Sequence, residues 1–429
     1  PAAALAAALV CVLAVGWVGA GFVTGAGHWA PRRGACGRVG AGAASVSRLA
    51  VGDVAPAKDS LKQPLLQRTL GDVAAAVSYP YRLMRLSQIT KDLVREVIEQ
   101  RRAEGQPSGS GSSGASKTLK AFLPSYVKSH AAARTSPEAF REFMNTTLRL
   151  VIDSVTTEAP FEFDPFHKAI RGPDVDHYAW GNNFFKSMVK FRDSRVEGMD
   201  SVEAIKKQLD AGDNVVLLAN HQTEADPQVL SLLLALSGDE SLAERTIFVA
   251  GHKVTSDRLT IPFSMGRNLL TIFSKKYLND FDEEEKEAKS ARNRETVTEM
   301  QRLFNEGGNI FWVAPSGGRD RRTGDGGRFK PAAFDHQSVG LFFLMGQKAE
   351  KAGHAAHFYP LAMWTHGLVP PPEGTQASVG EARSAKRSPV AIEFGPELVA
   401  AEVGGRKGMP AAAEAAVNAH YDHLDKIMR

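Results

Sequence analysis

The chain has 429 residues, 43% of them hydrophobic, which is enough to bury one large core or two ordinary ones, and its formal net charge is only +4. Four arginines (Arg32, Arg33, Arg38 and Arg48) stand against the single acid Asp53 in residues 1–57, leaving 48 basic against 47 acidic residues in the remainder. A body so nearly neutral excludes the broad basic footprint of a nucleic-acid binder.

Residues 1–57 read as a targeting leader in two halves. Pro1 to Ala30 carries no charge, and "ALAAALVCVLAVGWVGAGFV" is apolar enough for a signal-peptide core or for one membrane span. From Pro31 to Ala57 the composition turns to Ala, Gly, Ser, Val and Arg, as in an organelle transit peptide. A signal followed by a transit segment is similar to the bipartite leaders of proteins sent to plastids enclosed by extra membranes; a plain N-terminal anchor is the competing reading. Both cysteines, Cys11 and Cys36, lie inside this leader. Once it is removed, the mature chain has no disulfide, no Cys-based zinc site and no cysteine nucleophile.

Residues 58–160 read as a small helical domain whose role is support or partner contact. Its clearest helix starts at "SPEAF", where Ser136 can cap, Pro137 suits the first helical position, and Phe140, Phe143, Met144, Leu148, Val151, Ile152 and Val155 recur at helical spacing. A second helix is predicted from Tyr81 to Arg102. Between them "EGQPSGSGSSGAS", residues 104–116, has the composition of a flexible linker.

Residues 161–429 alternate helical segments with short aliphatic runs: "NVVLLA", "TIFVAG", "NIFWVAP", "HFYPLAMW" and "VAIEFG". Strands apolar on both faces and separated by helices predict an α/β fold, a mainly parallel mixed sheet covered by helices on both sides. In such sheets chemistry gathers in the loops at the carboxyl ends of strands. The segment "VVLLANHQTEADP" leaves one of those ends carrying His221, Glu224 and Asp226.

His221 and Asp226 are five residues apart, which on a continuous helix separates them by about 140°. They can meet only across a turn. Pro227 suits the first position of the helix "PQVLSLLLAL" and makes Asp226 its expected N-cap, so the turn can fold the carboxylate back on the imidazole as an oriented general base. Three other readings use the same residues: Asp226 as a cap alone, His221 with Glu224 and Asp226 as metal ligands, or Ser316 of "APSGG" as a nucleophile served by His221 and Asp226. The last lacks the Gly-x-Ser-x-Gly elbow, since Ala314 replaces its first glycine.

Anion-binding residues lie elsewhere in the chain. "NIFWVAP" runs into the glycine-rich "SGGRDRRTGDGGRFKP", with Arg319, Arg321, Arg322, Arg328 and Lys330, and further basic sites stand at "GRN" (266–268) and "SKKY" (274–277). Guanidinium groups match phosphate oxygens with paired hydrogen bonds, and glycines admit close backbone approach. Together they point to a phosphorylated substrate with a hydroxyl to deprotonate.

"NHQTEADP", "FSMGRNL", "SKK" and "APSGGRDR", in this order and spacing, resemble the soluble plastid glycerol-3-phosphate acyltransferases, over roughly the stretch from Pro160 to Gly395. The resemblance implies transfer of a fatty acyl group from acyl carrier protein or acyl-CoA to the sn-1 hydroxyl of glycerol 3-phosphate, giving 1-acyl lysophosphatidate. It implies His221 as the base, Asp226 as its orienting partner, and Lys276, Arg319 and Arg321 on the phosphate. Tyr277 stands where the plant enzymes usually have histidine; it can donate one hydrogen bond to phosphate but brings no positive charge. No cofactor, metal or nucleic acid is implied. The implied location is the chloroplast stroma, with a mature chain that does not span a membrane and meets one only peripherally.

Overall fold

The computed structural model describes residues 65–104, 113–273, 282–322, 327–371 and 383–429. The leader, Lys276, Tyr277 and most of the Gly/Ser run lie outside the described residues. Among those described, no helix is long and apolar enough to cross a membrane.

The chain enters through three helices, α1 (Leu65–Ala103), α2 (Ser113–Ala132) and α3 (Pro137–Thr156). The cap on α3 forms as its sequence predicts, the Ser136 hydroxyl accepting from the Ala139 amide at 3.2 Å, and Phe140, Phe143, Met144, Leu148, Val151 and Ile152 face inward. The predicted helix over Tyr81–Arg102 belongs to the longer α1, and Ser113 to Ser116 open α2 instead of extending the linker. These helices pack directly on the rest of the molecule. Tyr126 donates to the Phe184 carbonyl at 2.8 Å, Trp180 donates to Thr147 at 3.1 Å, and Leu86, Tyr126 and Phe140 share one contiguous core with Val215 and Leu217.

The remainder is built on an eight-stranded sheet. Its strands are β1 (Phe166–His167), β2 (Arg195–Glu197), β3 (Asn214–Ala219), β4 (Ile247–Gly251), β5 (Asn268–Ile272), β6 (Ile310–Val313), β9 (Ala356–Trp364) and β10 (Ala391–Phe394); β7 (Arg321–Arg322) and β8 (Phe329–Lys330) form a separate antiparallel ribbon. The order is β1-β5-β4-β6-β3-β9-β10-β2. The five middle strands are parallel, while β1 and β10 pair antiparallel to β5 and β9. Helices α4 (His177–Lys186), α5 (Met199–Asp210) and α6 (Asp226–Ser237) cover one face; α7 (Glu283–Glu306), α8 (His336–Lys351) and α9 (Gly405–Met428) cover the other.

Alternation along β3 explains why its sequence is apolar throughout. Val215, Leu217 and Ala219 enter the core under α5 and α6, whereas Val216 and Leu218 enter the core under α7 to α9. All six residues of β3 are buried. The five strands legible in the sequence are present; β5 went unread because its polar residues, Asn268 and Thr271, interrupt the apolar run, and β1 and β2 are too short to show a pattern. Strand order sets β3 between β6 and β9, so the loops leaving these three strands meet at one end of the sheet.

Because Leu218 is fully buried against side chains on both flanks, Leu218→Ala is expected to lower unfolding free energy by about 2–5 kcal/mol in denaturant titrations. A loss under about 1 kcal/mol would mean that β3 is not the centre of the core.

Candidate active site

The turn from β3 into α6 brings His221 and Asp226 together. Nδ1 of His221 lies 2.8 Å from Oδ2 of Asp226. The same oxygen accepts from the backbone amides of Gln222 at 2.8 Å and Thr223 at 3.2 Å, and Oδ1 accepts from the Thr365 hydroxyl at 2.5 Å. Asp226 is fully buried, so these four donors replace its water. It is the first residue of α6 and not the N-cap expected from Pro227; Ala225 holds that place without a side-chain bond. The carboxylate turns backward over its own loop, where the helix N-terminus adds a favourable field.

With Nδ1 donating to the carboxylate, the other ring nitrogen of His221 is left as a lone-pair acceptor. Nε2 makes no hydrogen bond to the described residues, and the side chain is 26% exposed. Its ring stands edge-on to Trp312 of β6, with centroids 5.8 Å apart at 83°, which fixes the plane of the imidazole.

Two amides unread in the sequence brace this loop. Asn220 donates to the Met363 carbonyl at 3.0 Å and accepts from the Met363 amide at 2.7 Å, so it extends the pairing of β3 with β9. Gln222 accepts from the Thr365 amide at 2.8 Å and donates to the Tyr421 hydroxyl of α9 at 2.8 Å. Both are fully buried.

The arginine-rich loop after β6 is tied to the same spot through Asp320. Its amide donates to the His221 carbonyl at 2.6 Å, and its carboxylate accepts from Asn220 at 2.7 Å and from the Ala332 amide at 2.9 Å. Burial pushes the Asp320 carboxyl up to about 6, with the Asn220 and Ala332 bonds opposing part of that rise. Asp320 thereby fixes its neighbours Arg319 and Arg321 relative to His221. Arg319 is 13% exposed and lies 3.9 Å from Glu224, while Arg321 donates to the carbonyls of Arg319 and Asp320 at 2.9 and 3.1 Å.

Several expected roles change here. Glu224 does not join His221 and Asp226 as a metal ligand: it accepts a bidentate pair from Arg383 at 2.6 and 2.9 Å, and Arg383 also reaches Asp257 at 2.8 Å. Burial would raise the Glu224 carboxyl, but the Arg383 bonds, with Arg319 behind them, bring it below its ordinary value. Ser316 donates to the Gly318 carbonyl at 3.0 Å and has no hydrogen bond to His221. Arg267 of the "GRN" segment is a core residue, donating to Ser231 at 2.8 Å and to Asn182, with Tyr178 beneath its guanidinium at 4.7 Å. Burial brings Arg267 down to about 10. Lys276 and Tyr277 belong to the segment outside the described residues, after β5.

Residues 194–364, which include this site, match the family model described as "Acyltransferase". The chain is 37% identical over 298 residues to the chloroplastic glycerol-3-phosphate acyltransferase of Carthamus tinctorius, covering 69% of this chain and 63% of that protein. It is 38% identical over 259 residues to the corresponding protein of Spinacia oleracea, covering 60% and 54%. The chain therefore spans somewhat under two thirds of the length of these relatives. The solved 1-acyl-sn-glycerophosphate acyltransferase of Thermotoga maritima aligns at 14% identity with a TM-score of 0.35, over 58% of this chain and 78% of that one.

Asp320 gives a pH signature. Its folded pKa of about 6 lies above its ordinary value of 3.8, so in that window the native state holds a proton that the unfolded chain has lost. Its contribution is present below the lower value and is lost as pH rises through the upper one, by about 2–3 kcal/mol. Between pH 4 and 6.5 the stability of the wild type minus that of Asp320→Asn is expected to fall with pH; a flat or rising difference contradicts the raised pKa.

Proposed function

We propose that the chain is a glycerol-3-phosphate 1-O-acyltransferase of the plastid stroma, taking its acyl group from acyl carrier protein or acyl-CoA. The observation that carries this reading is the buried Asp226 holding His221 Nδ1 at 2.8 Å beside a loop whose arginines are fixed to the same strand end. The relatives' names and the matched family model support it.

In the proposed reaction His221 Nε2 takes the proton of the sn-1 hydroxyl as that oxygen attacks the thioester carbonyl. Asp226 stabilises the imidazolium so formed, as a buried carboxylate does beside a catalytic histidine. Collapse of the tetrahedral intermediate breaks the carbon–sulfur bond, and the imidazolium returns its proton to the departing thiolate. No acyl-enzyme is formed. Arg319, Arg321 and Lys276 are assigned to the phosphate, with Tyr277 adding one hydrogen bond; Glu224 and Arg383 act only by positioning Arg319.

Protein without its first 57 residues, given glycerol 3-phosphate and an acyl thioester, is expected to yield 1-acyl lysophosphatidate, and His221→Ala to lower kcat by about 10²- to 10⁴-fold. Free fatty acid formed without glycerol 3-phosphate would identify a hydrolase instead, and retained turnover in His221→Ala would remove the base.

Tyr277→His tests the phosphate assignment separately. Added positive charge is expected to lower KM for glycerol 3-phosphate by about 3- to 10-fold at pH 6.5 and by less at pH 8, where histidine is neutral. An unchanged KM at both values would take position 277 out of the site.

A further inference from the structure

A cavity lies at the same end of the sheet as His221, beside the exit from β9. It has a volume of about 290 Å³ and draws its walls from the end of β9, the segment before β10, and the β7–β8 ribbon. β10 runs antiparallel to β9, with Ala391 opposite Trp364, so the approach to β10 lies beside the exit from β9. The cavity-lining Arg322 directly follows Arg321 in β7, and Asp320 bonds the His221 carbonyl, so the cavity, the arginine loop and His221 share one end of the sheet.

Among the described residues four of its lining side chains are cations, Lys190, Arg322, Lys386 and Arg387, and none is an acid. None of the four forms an ion pair with the described residues. Arg322 donates to the Gly327 carbonyl at 3.1 Å and lies over the Phe329 ring at 4.6 Å. The Arg387 Nε is buried without a hydrogen-bond partner among the described residues; burial lowers this guanidinium, and Asp193 offsets only part of that effect. Asp425, an acid near His366, is engaged by Trp364 at 3.1 Å and by Arg429 at 2.9 Å.

The other wall is built of aromatic rings, with the Arg322 guanidinium over one of them. His366 stacks on Phe329 at 4.5 Å and 26° and meets Trp364 edge-on at 4.6 Å. Burial brings His366 down to about 4, with Arg322 adding to the effect, so it is neutral at physiological pH. The cavity therefore combines several cations lacking carboxylate partners with an apolar aromatic face, the composition that suits an anionic head on an apolar or amide-bearing stem.

We propose that this cavity holds the phosphate and adjoining stem of the 4′-phosphopantetheine arm of the acyl donor, with Lys190, Lys386 and Arg387 on the phosphate and the His366–Phe329 face against the stem. The assignment rests on the acyl-transfer reading, because a thioester donor carries this arm whether it is borne by coenzyme A or by a carrier protein. The donor anion then binds beside the exit from β9, next to the loop assigned to the acceptor phosphate. The wall is coupled directly to the base: the Thr365 hydroxyl bonds Asp226, and the next amide, His366, donates to Gln222 at 3.2 Å.

Calorimetric titration of the protein with free 4′-phosphopantetheine, coenzyme A and pantetheine tests this without needing turnover. Phosphopantetheine is expected to bind at least about tenfold more tightly than pantetheine, the size of one charge-assisted contact. The exposed Lys386→Glu and the partly buried Arg387→Ala should each remove most of that difference; if Arg387→Ala does not fold, Lys386→Glu decides alone. Equal affinity for coenzyme A and phosphopantetheine supports recognition of the arm alone, as on a carrier protein, and tighter coenzyme A supports a nucleotide-borne arm. Equal binding of pantetheine and phosphopantetheine, or full affinity in Lys386→Glu, would overturn the proposal. A protein that binds phosphopantetheine but forms no lysophosphatidate keeps the cavity assignment and rejects the acyl-transfer reading.

Discussion

Asp226 is a carboxylate with no access to water, and the site is organised around that constraint. Burying an ionised carboxylate costs several kcal/mol unless its oxygens are satisfied, and here four donors do so. Three of them come from the turn after β3, and the fourth is Thr365 at the end of β9. The requirement fixes the turn, the relation between two neighbouring strands, and the orientation of the imidazole together. A histidine held in this way loses little rotational freedom when it accepts a proton, which is what a base needs before its substrate arrives.

The same economy extends outward through short polar links. Asn220 and Gln222 flank His221 and fasten the turn to β9 and α9, while Asp320 fastens the arginine loop to the carbonyl of His221. Each link is buried and each joins segments distant in sequence. Charge in the loop is balanced by Glu224, whose carboxylate serves Arg383 and stands near Arg319. His221 and the loop that carries Arg319 and Arg321 are thus tied together.

The sequence made the sheet and the His221–Asp226 pair legible for different reasons. Strands such as β3 are apolar on both faces because both faces are covered, and that pattern needs no partner to be seen. The pairing of His221 with Asp226 followed from a spacing that only a turn can close. Thr365, Asn220 and Gln222 were missed because their value lies in contacts across 100 residues or more, with no local mark beyond closeness to the motif. Arg267 misled in the opposite direction: beside a glycine and an asparagine it resembles an anion ligand, yet Ser231, Asn182 and Tyr178 make it part of the core. Local sequence reports residue chemistry, whereas burial is decided by the strand order. The ion pair of Glu224 went unread because its partner, Arg383, follows 159 positions later.

The central claim is that Asp226 holds the Nδ1 proton of His221 and leaves Nε2 as the proton acceptor. Long-range proton–nitrogen correlation spectra of protein labelled at histidine nitrogen read this directly, with His221 assigned from the His221→Gln spectrum. At a pH where the ring is neutral, the account predicts the Nδ1–H tautomer for His221, lost or mixed in Asp226→Asn. An Nε2–H tautomer in the wild type, or a spectrum unchanged by Asp226→Asn, would contradict it.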